Sequence, residues 1–391
     1  MRVLNIGTYP PKQCGIATFS MDIRNSLTVN GITVDVMAIS DENYQYAYGP
    51  EVVFNLRQQH KSDYIKAAAF INGSPSIDLV LLQHEYGIYG GQDGEYLLEL
   101  IKLLHKPFVL ITHTVLPRPS RKQKEVLYEL CSRAAGIVCM TRHSARLLTD
   151  LYEAPEEILS IICHGVPAFK KQDSNFLKQK YNLQDKIVIS TFGLLGPGKG
   201  LELGIEALAL LKDKFPDIRY LILGQTHPML RKLEGEKYRQ MLIELVHQRQ
   251  VEEQVLFVNH FLTDEELGEY LYMSDIYLSP YPNKDQAVSG TMAFAIGCGR
   301  AIVSTSYAYA TEMLSENRGL LAKEADPAEL AHLIEQLILD QELKARLQKN
   351  ASQLGQSWQW PNIGREYKEF FQQVIAINPI ESEGKNTYAK L

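Results

Sequence analysis

The glycine-rich segment 192–200, FGLLGPGKG, is the part of the chain whose residue types point most directly to chemistry. It follows the apolar run 187–192 and precedes an apolar helical pattern, which puts its glycines in a strand-to-helix turn. Free N–H groups at a helix start favour an anion, and the Lys199 ammonium adds a positive charge. Gly193 and Lys199 are therefore candidate ligands of a phosphate group, in ATP or in a sugar diphosphate.

Two other interpretations of this segment remain. The spacing from Gly193 to Lys199 fits the P-loop pattern G-x-x-x-x-G-K, but Gly200 stands where a P-loop has the Ser or Thr that holds magnesium. An ATPase is therefore disfavoured. The segment could also be a glycine-rich turn with a solvated lysine and no ligand.

A second candidate anion site is the segment 280–291, PYPNKDQAVSGT. Ser289, Gly290 and Thr291 would present amides and hydroxyls at the start of an apolar helix, as a phosphate or a sugar requires. The alternative is a serine N-cap without a ligand. Gly15, after the first predicted strand, would let a ligand approach another helix start, although any strand-to-helix turn could have this glycine. No G-x-G-x-x-G accompanies it, so a dinucleotide site is not supported.

Polar side chains also follow two predicted strands in the first half of the chain. His84 and Glu85 follow one strand, and His113 follows another, at the sheet edge where ligands of parallel sheets bind. A structural role is the alternative for each histidine, and His164 has no comparable setting. The sequence has no H-E-x-x-H, no zinc-type cysteine spacing and no Asp-x-Asp, so no metal site is expected.

The elements that must position these residues alternate between short apolar strands and amphipathic helices, which predicts doubly wound parallel sheets and an α/β fold. We predict a first domain over 1–165, completed by a C-terminal helix over 359–376, a linker over 163–186, a second domain over 180–356, and a tail over 377–391. The predicted strands are 3–7, 33–39, 79–83, 108–112, 136–140, 187–192, 219–224, 254–258, 276–280 and 301–305. Helices predicted in the second domain include 200–215, 231–249, 264–273, 290–298 and 326–350.

Composition narrows the class of protein further. The 391 residues include 40 Lys and Arg against 46 Asp and Glu, and a net charge of −6 disfavours a nucleic-acid partner. Five cysteines without a C-x-x-C pair favour reduced thiols and a cytoplasmic protein. No long apolar run predicts a membrane span.

With these motifs in place, the chain resembles the retaining glycosyltransferases of family 4 over about residues 1–375. The resemblance is carried by Gly15, His113, the segment 192–200, and DQAVSGTMAFAIGCGRAIVST at 285–305. LGQTHP at 223–228 and VLFVNHFLTDEEL at 255–267 are similar to a mannosyltransferase-like branch. The resemblance implies the GT-B architecture, in which two facing Rossmann-like domains enclose a cleft.

The resemblance also implies roles for single residues. Lys199, Ser289, Gly290 and Thr291 would hold the donor diphosphate, His113 would lie by the transferred sugar, and the backbone from Asn259 to Phe261 would meet the base. His84 and Glu85 would lie on the acceptor side.

This chain departs from the family at four positions. Leu194 and Gly196 occupy places where members have an arginine. The family's paired glutamates fall on Gln286, which would meet the sugar, and on Phe294, which cannot hold the ribose. Glu312 is the candidate replacement for the lost carboxylate.

The expected activity is metal-independent transfer of a hexose from GDP-mannose or UDP-glucose to a sugar, glycan or lipid-linked acceptor, without a cofactor. A lipid-linked acceptor would bring peripheral membrane contact, and the sequence leaves the oligomeric state open. The alternatives are a sugar phosphorylase of the same fold and a non-catalytic protein that binds nucleotide sugars or glycans.

Overall fold

The computed structural model describes residues 1–41 and 46–378. The chain divides into two units, the first formed by Met1–Cys163 with the segment from Pro361 onward, and the second by His164–Trp360. Each unit is a parallel sheet with helices between most successive strands. Most of the predicted tail, from residue 379 on, lies outside the described residues.

The first sheet has the order β3-β2-β1-β4-β5-β6-β7. Its central strands are almost completely buried because helices pack against both faces of the sheet. Its strands are β1 (Arg2–Gly7), β2 (Thr33–Ser40), β3 (Val52–Arg57), β4 (Leu79–His84), β5 (Phe108–Thr112), β6 (Gly136–Cys139) and β7 (Leu159–Ile161). The helices along this part of the chain are α1 (Gly15–Val29), α2 (Lys61–Asn72), α3 (Leu97–Leu103), α4 (Arg121–Arg133) and α5 (Arg142–Tyr152).

The second sheet has the order β10-β9-β8-β11-β12-β13. Its strands are β8 (Ile187–Phe192), β9 (Ile218–Leu223), β10 (Val255–Val258), β11 (Ile276–Ser279), β12 (Ala301–Thr305) and β13 (Leu320–Ala322). Its helices are α6 (Ser174–Lys180), α7 (Leu201–Leu211), α8 (Pro228–Glu234), α9 (Lys237–Arg249), α10 (Asp264–Met273), α11 (Gly290–Gly297), α12 (Ala308–Met313), α13 (Pro327–Leu339) and α14 (Gln341–Ser357).

Three strands were absent from the sequence prediction, and each has a partly exposed side. In β3, exposed residues alternate with half-buried or buried ones, while β7 and β13 have three residues each. The predicted helix 231–249 is wrong as one element, because Gly235 at φ +66° separates α8 from α9. The predicted helix 326–350 is also two helices, since Asp340 ends α13 and caps α14. The predicted linker contains α6.

The last described helix, α15 (Trp360–Ile377), completes the first unit. Tyr367 and Phe371 are fully buried. A Cβ at Gly364 would lie 2.8 Å from the Asn30 side chain of the first unit, and one at Gly136 would lie 2.8 Å from Val374. The helix therefore packs closely against β6 and the end of α1. No helix among the described residues is long and apolar enough to cross a membrane.

We expect Phe371→Ala to lower the free energy of unfolding by about 3–5 kcal/mol, because the buried ring leaves a cavity. Gln372→Ala on the exposed face of the same helix is the control and should change it by less than about 0.5 kcal/mol. Urea denaturation of both variants measures the difference, and equal midpoints would contradict the packing of α15 described above.

Candidate functional site

The strand order of the second sheet determines where its polar loops meet. β8 pairs in parallel with β9 on one side and with β11 on the other. Chain connections leave β8 and β11 in different directions at such a position, and ligands of open α/β sheets bind there. The loops that follow β8 and β11 are the two glycine-containing segments singled out in the sequence.

The first of these loops, 193–200, is hydrogen-bonded through its backbone to the end of β9 and to the loop that follows β9. Gly193, at φ +129°, donates from its N–H to the Leu223 carbonyl at 2.9 Å, and Leu195 donates to the Gln225 carbonyl at 2.8 Å. Gly200 adopts φ +61° just before α7, and a Cβ there would overlap the carbonyl oxygen of Pro280. Glycine at 200 therefore lets the two loops approach each other.

Lys199 extends from this loop toward the loop that follows β11. Its ammonium donates to the Tyr281 phenol oxygen at 2.6 Å and lies 4.5 Å from the centre of the same ring. Tyr281 is only 3% exposed, and its phenol oxygen is 2.8 Å from the Thr291 hydroxyl. Burial raises the pKa of Tyr281, but the Lys199 ammonium and the hydrogen bonds outweigh burial and bring this pKa below its usual value.

The start of α11 completes this cluster. Ser289 caps the helix by accepting the Met292 N–H at 3.3 Å, and its hydroxyl lies 3.1 Å from that of Thr291. A Cβ at Gly290 would lie 2.9 Å from Nε2 of His164, so that ring packs against the first turn of α11. Helix-start amides, two hydroxyls and one ammonium thus occur together, which is a suitable environment for a phosphate.

Other residues predicted around the donor lie on the same unit. The Gln286 amide donates to the Val288 carbonyl at 2.8 Å, within its own loop. Asn259 and Phe261 are exposed after β10. Glu312 is half-buried on α12, and α12 is joined to the Gln286 loop because the Tyr309 N–H donates to the Gln286 carbonyl at 3.1 Å.

Phe294 belongs to an aromatic cluster and carries no polar group toward the site. Its ring centre lies 6.0 Å from that of Phe192, 5.9 Å from that of His164 and 5.8 Å from that of Phe169. Burial lowers the pKa of His164 to about 4, so the imidazole in this cluster is neutral near pH 7. A ribose hydroxyl would find an apolar surface at this position.

In the first unit, His113 is fixed by a chain of buried amides. Its Nε2 lies 2.8 Å from Oε1 of Gln83, whose own NH2 donates to Oδ1 of Asn5 at 2.8 Å. Because Gln83 presents an oxygen to the ring, His113 donates from Nε2, and Nδ1 carries the lone pair when the ring is neutral. The Phe19 ring packs edge-on against the His113 ring, with ring centres 4.8 Å apart, and restricts the imidazole further.

His84 and Glu85 differ in their access to solvent. His84 is 1% exposed and packs edge-on against Tyr86, so the structure does not bring this predicted acceptor-side residue to the surface. Burial lowers the pKa of His84 to about 4. Glu85 is half-buried, accepts hydrogen bonds from Thr114 and from the Tyr86 N–H, and has its pKa raised by burial. It remains a candidate acceptor-side group.

Gly15 lies at the first turn of α1, which Cys14 caps by accepting the Ala17 N–H at 3.4 Å. Within residues 1–41 and 46–378, no atom lies within 4 Å of a Cβ added at Gly15. A ligand could therefore approach the backbone closely at this position.

Sequence reasoning missed Tyr281, His164 and Gln83. Tyr281 stands in a segment that the sequence had singled out, but a lone tyrosine after a strand is typical of a core. His164 and Gln83 acquire their settings only through tertiary contacts. In the described part of the chain, no group of three or more His, Cys, Asp or Glu side chains is arranged to hold a metal ion.

Two parallel-sheet α/β units with these loops define the fold of GT-B glycosyltransferases. Residues 173–354 of the chain match the family described as glycosyl transferases group 1. Anabaena HepE, solved with UDP and glucose, has a TM-score of 0.77 at 17% identity, with 95% of this chain and 100% of that chain covered. Sucrose-phosphate synthase from Thermosynechococcus elongatus has a TM-score of 0.80 at 16% identity, with 96% of this chain and 100% of that chain covered.

Curated relatives match about half of the sequence. An uncharacterized glycosyltransferase of Methanocaldococcus jannaschii is 28% identical over 204 residues, which is 51% of this chain and 48% of that protein. The GPI3 subunit of phosphatidylinositol N-acetylglucosaminyltransferase from Saccharomyces cerevisiae is 25% identical over 199 residues, 50% of this chain and 40% of the subunit. The chain thus spans less than half the length of the curated relatives it matches.

We expect Gly200→Ala to disturb the loop that carries Lys199, because the new methyl group overlaps the Pro280 carbonyl at a positive φ. The melting temperature should fall by several degrees, corresponding to at least about 1 kcal/mol. Gly198→Ala is the matched control, since among the described residues no atom lies within 4 Å of a Cβ there. Equal melting temperatures for the two variants would contradict the close approach of the loops.

The buried, neutral His84 predicts a loss of stability in acid. In the unfolded chain, His84 binds a proton below about pH 6.5, whereas in the folded protein it does so only below about pH 4. The free energy of unfolding therefore falls as the pH decreases from about 6.5 to about 4. We expect His84→Gln to reduce the loss between about pH 7 and about pH 4.5 by about 2 kcal/mol. Exposed His105→Gln is the control, and parallel stability profiles for wild type and His84→Gln would refute this prediction.

Proposed function

We propose that this protein is a retaining glycosyltransferase that moves a mannose or glucose from a nucleoside diphosphate sugar to a sugar, glycan or lipid-linked acceptor. One observation carries the proposal: the Lys199 ammonium donates to the phenol oxygen of Tyr281, which also lies 2.8 Å from the Thr291 hydroxyl at the start of α11. Among residues 1–41 and 46–378, no carboxylate forms an ion pair with this ammonium. The Anabaena structure with UDP and glucose supports a donor of this class.

The departing nucleoside diphosphate gains negative charge as the bond to the sugar breaks. Lys199 and the amides at the start of α11 supply positive potential for this charge, while Ser289 and Thr291 supply hydroxyl donors. Such interactions strengthen as the charge develops, and so lower the barrier rather than only the donor Kd. We therefore propose a reaction that needs neither a metal ion nor a cofactor.

Retention of configuration fits the proposed acid–base chemistry. The acceptor hydroxyl forms the new bond to the anomeric carbon on the face from which the diphosphate leaves, and its proton passes to a donor phosphate oxygen. No pair of carboxylates is then required, in contrast to a glycosidase. Gln286 is proposed to hold a hydroxyl of the transferred sugar through its amide.

Recognition of the rest of the donor is assigned to three further positions. We propose that the backbone from Asn259 to Phe261 meets the base and that Glu312 replaces the ribose contact, since Phe294 offers only an aromatic face. Gly15 would let the donor approach the start of α1. In the first unit, Glu85 and His113 are proposed to bind the acceptor or the transferred sugar.

We expect a panel of GDP-mannose, UDP-glucose and related donors to include at least one that raises the melting temperature and is turned over in the presence of an acceptor mixture. Lys199→Ala should reduce turnover of that donor at least about tenfold, equivalent to about 1.4 kcal/mol of barrier. Lys284→Ala is the matched control, because this exposed lysine of the neighbouring loop pairs with Glu324 at 2.7 Å.

The other outcomes of this panel correspond to other functions. Binding of a nucleotide sugar without turnover across a broad acceptor panel would identify a non-catalytic binding protein. Turnover that depends on a sugar phosphate and inorganic phosphate would identify a phosphorylase. Loss of transfer in EDTA with recovery on adding magnesium or manganese would reject the metal-independent mechanism.

A further inference from the structure

The Lys199 ammonium is the charged group on which the proposed site depends. Lys199 is the only basic residue in segment 193–200, and Lys284, the only one in segment 280–291, is paired with Glu324. Lys199 instead donates to the phenol of Tyr281, 82 residues later in the chain. This hydrogen bond uses one of the three N–H donors of the ammonium.

Tyr281 follows β11 and contacts residues at and after the ends of the neighbouring strands. Its ring stacks on that of Tyr307 with centres 5.1 Å apart and planes 14° from parallel. Thr305, at the end of β12, donates from its hydroxyl to the Tyr281 carbonyl at 2.5 Å. Tyr307 is in turn hydrogen-bonded to Ser279, at the end of β11, at 2.8 Å. The phenol thus has the rigidity of the strand ends, although it lies in a loop.

The contacts of the phenol continue to the start of α11. Tyr281 lies 2.8 Å from the Thr291 hydroxyl, and Thr291 lies 3.1 Å from the Ser289 hydroxyl that caps the helix. The lysine is therefore connected through one buried side chain to the helix whose amides would bind the same anion. A flexible lysine side chain loses much rotamer freedom when it binds a ligand, and a fixed partner removes part of that loss in advance.

We propose that Tyr281 is a positioning residue for the transfer reaction, which holds the Lys199 ammonium beside the start of α11 so that it meets the leaving diphosphate of a nucleotide sugar. This inference rests on the proposed function. Tyr281 acts through Lys199, whose two remaining N–H donors are left for phosphate oxygens. The lowered pKa of Tyr281 reflects the same proximity of ammonium and phenol.

The distinguishing variant is Tyr281→Phe, which removes the phenol oxygen but retains the ring stacked on Tyr307. Because the charge of the diphosphate grows only as the sugar leaves, we expect kcat to fall about tenfold and the donor KM to change less than about threefold. Tyr220→Phe is the matched control: it deletes another buried phenol of the same unit, which bonds Thr191 at 2.9 Å. Its kcat should stay within about twofold of wild type.

A double-mutant cycle shows whether Tyr281 acts through Lys199. In a Lys199→Ala background, Tyr281→Phe should have almost no further effect, because the group that it positions is gone. Calorimetric titration gives a readout independent of turnover: Tyr281→Phe should weaken binding of UDP or GDP several-fold and leave uridine or guanosine binding unchanged.

The outcomes separate this inference from the proposed function. If wild type neither binds a nucleoside diphosphate nor turns over a nucleotide sugar, the proposed function fails and the inference fails with it. If wild type is active and Tyr281→Phe matches it, or the loss persists undiminished in Lys199→Ala, the positioning role is rejected. A melting temperature for Tyr281→Phe well below that of Tyr220→Phe, with UDP and uridine weakened alike, would assign Tyr281 to the core and also reject it.

Discussion

Parallel pairing of β8 with both β9 and β11 is the constraint on which the second unit depends. It brings the end of β8 next to the end of β11, although the two strands are far apart in sequence. The loops at these ends can approach only because Gly200 has no side chain where the Pro280 carbonyl lies. Sheet topology therefore determines which two loops are adjacent, and Gly200 determines how closely these loops approach each other.

The two units differ in how they hold their ionisable side chains. In the second unit, the half-buried Lys199 ammonium donates its hydrogen bond to a phenol rather than to a carboxylate. In the first unit, burial keeps His84 neutral and raises the pKa of Glu85. Polar groups there are linked by directional hydrogen bonds, as in the Asn5, Gln83 and His113 chain. The second unit therefore offers a positive charge to the proposed donor, whereas the first unit fixes the orientation of buried polar side chains.

Most of the fold was predictable from sequence because buried parallel strands are nearly continuous apolar runs. The prediction failed where burial is incomplete, as in β3 and β13, and where a single backbone conformation breaks a helical pattern, as at Gly235. The phosphate-type loop with Lys199 and the start of α11 could be found from local composition. The pairing of Lys199 with Tyr281 could not, because periodicity contains no information about which side chains meet across 82 residues.

The return of the chain to the first unit through α15 has a consequence for how the protein is made. The second unit is an uninterrupted insertion whose two ends meet, since Val166 forms a β-bridge with Gln359 and donates to the Trp358 carbonyl at 2.8 Å. It can therefore fold as a unit during translation, whereas the first unit, begun earlier, must wait for its last helix. The second unit can thus be completed before the first, and the surfaces of β6 and of the end of α1 that α15 covers stay exposed until this helix has been synthesised.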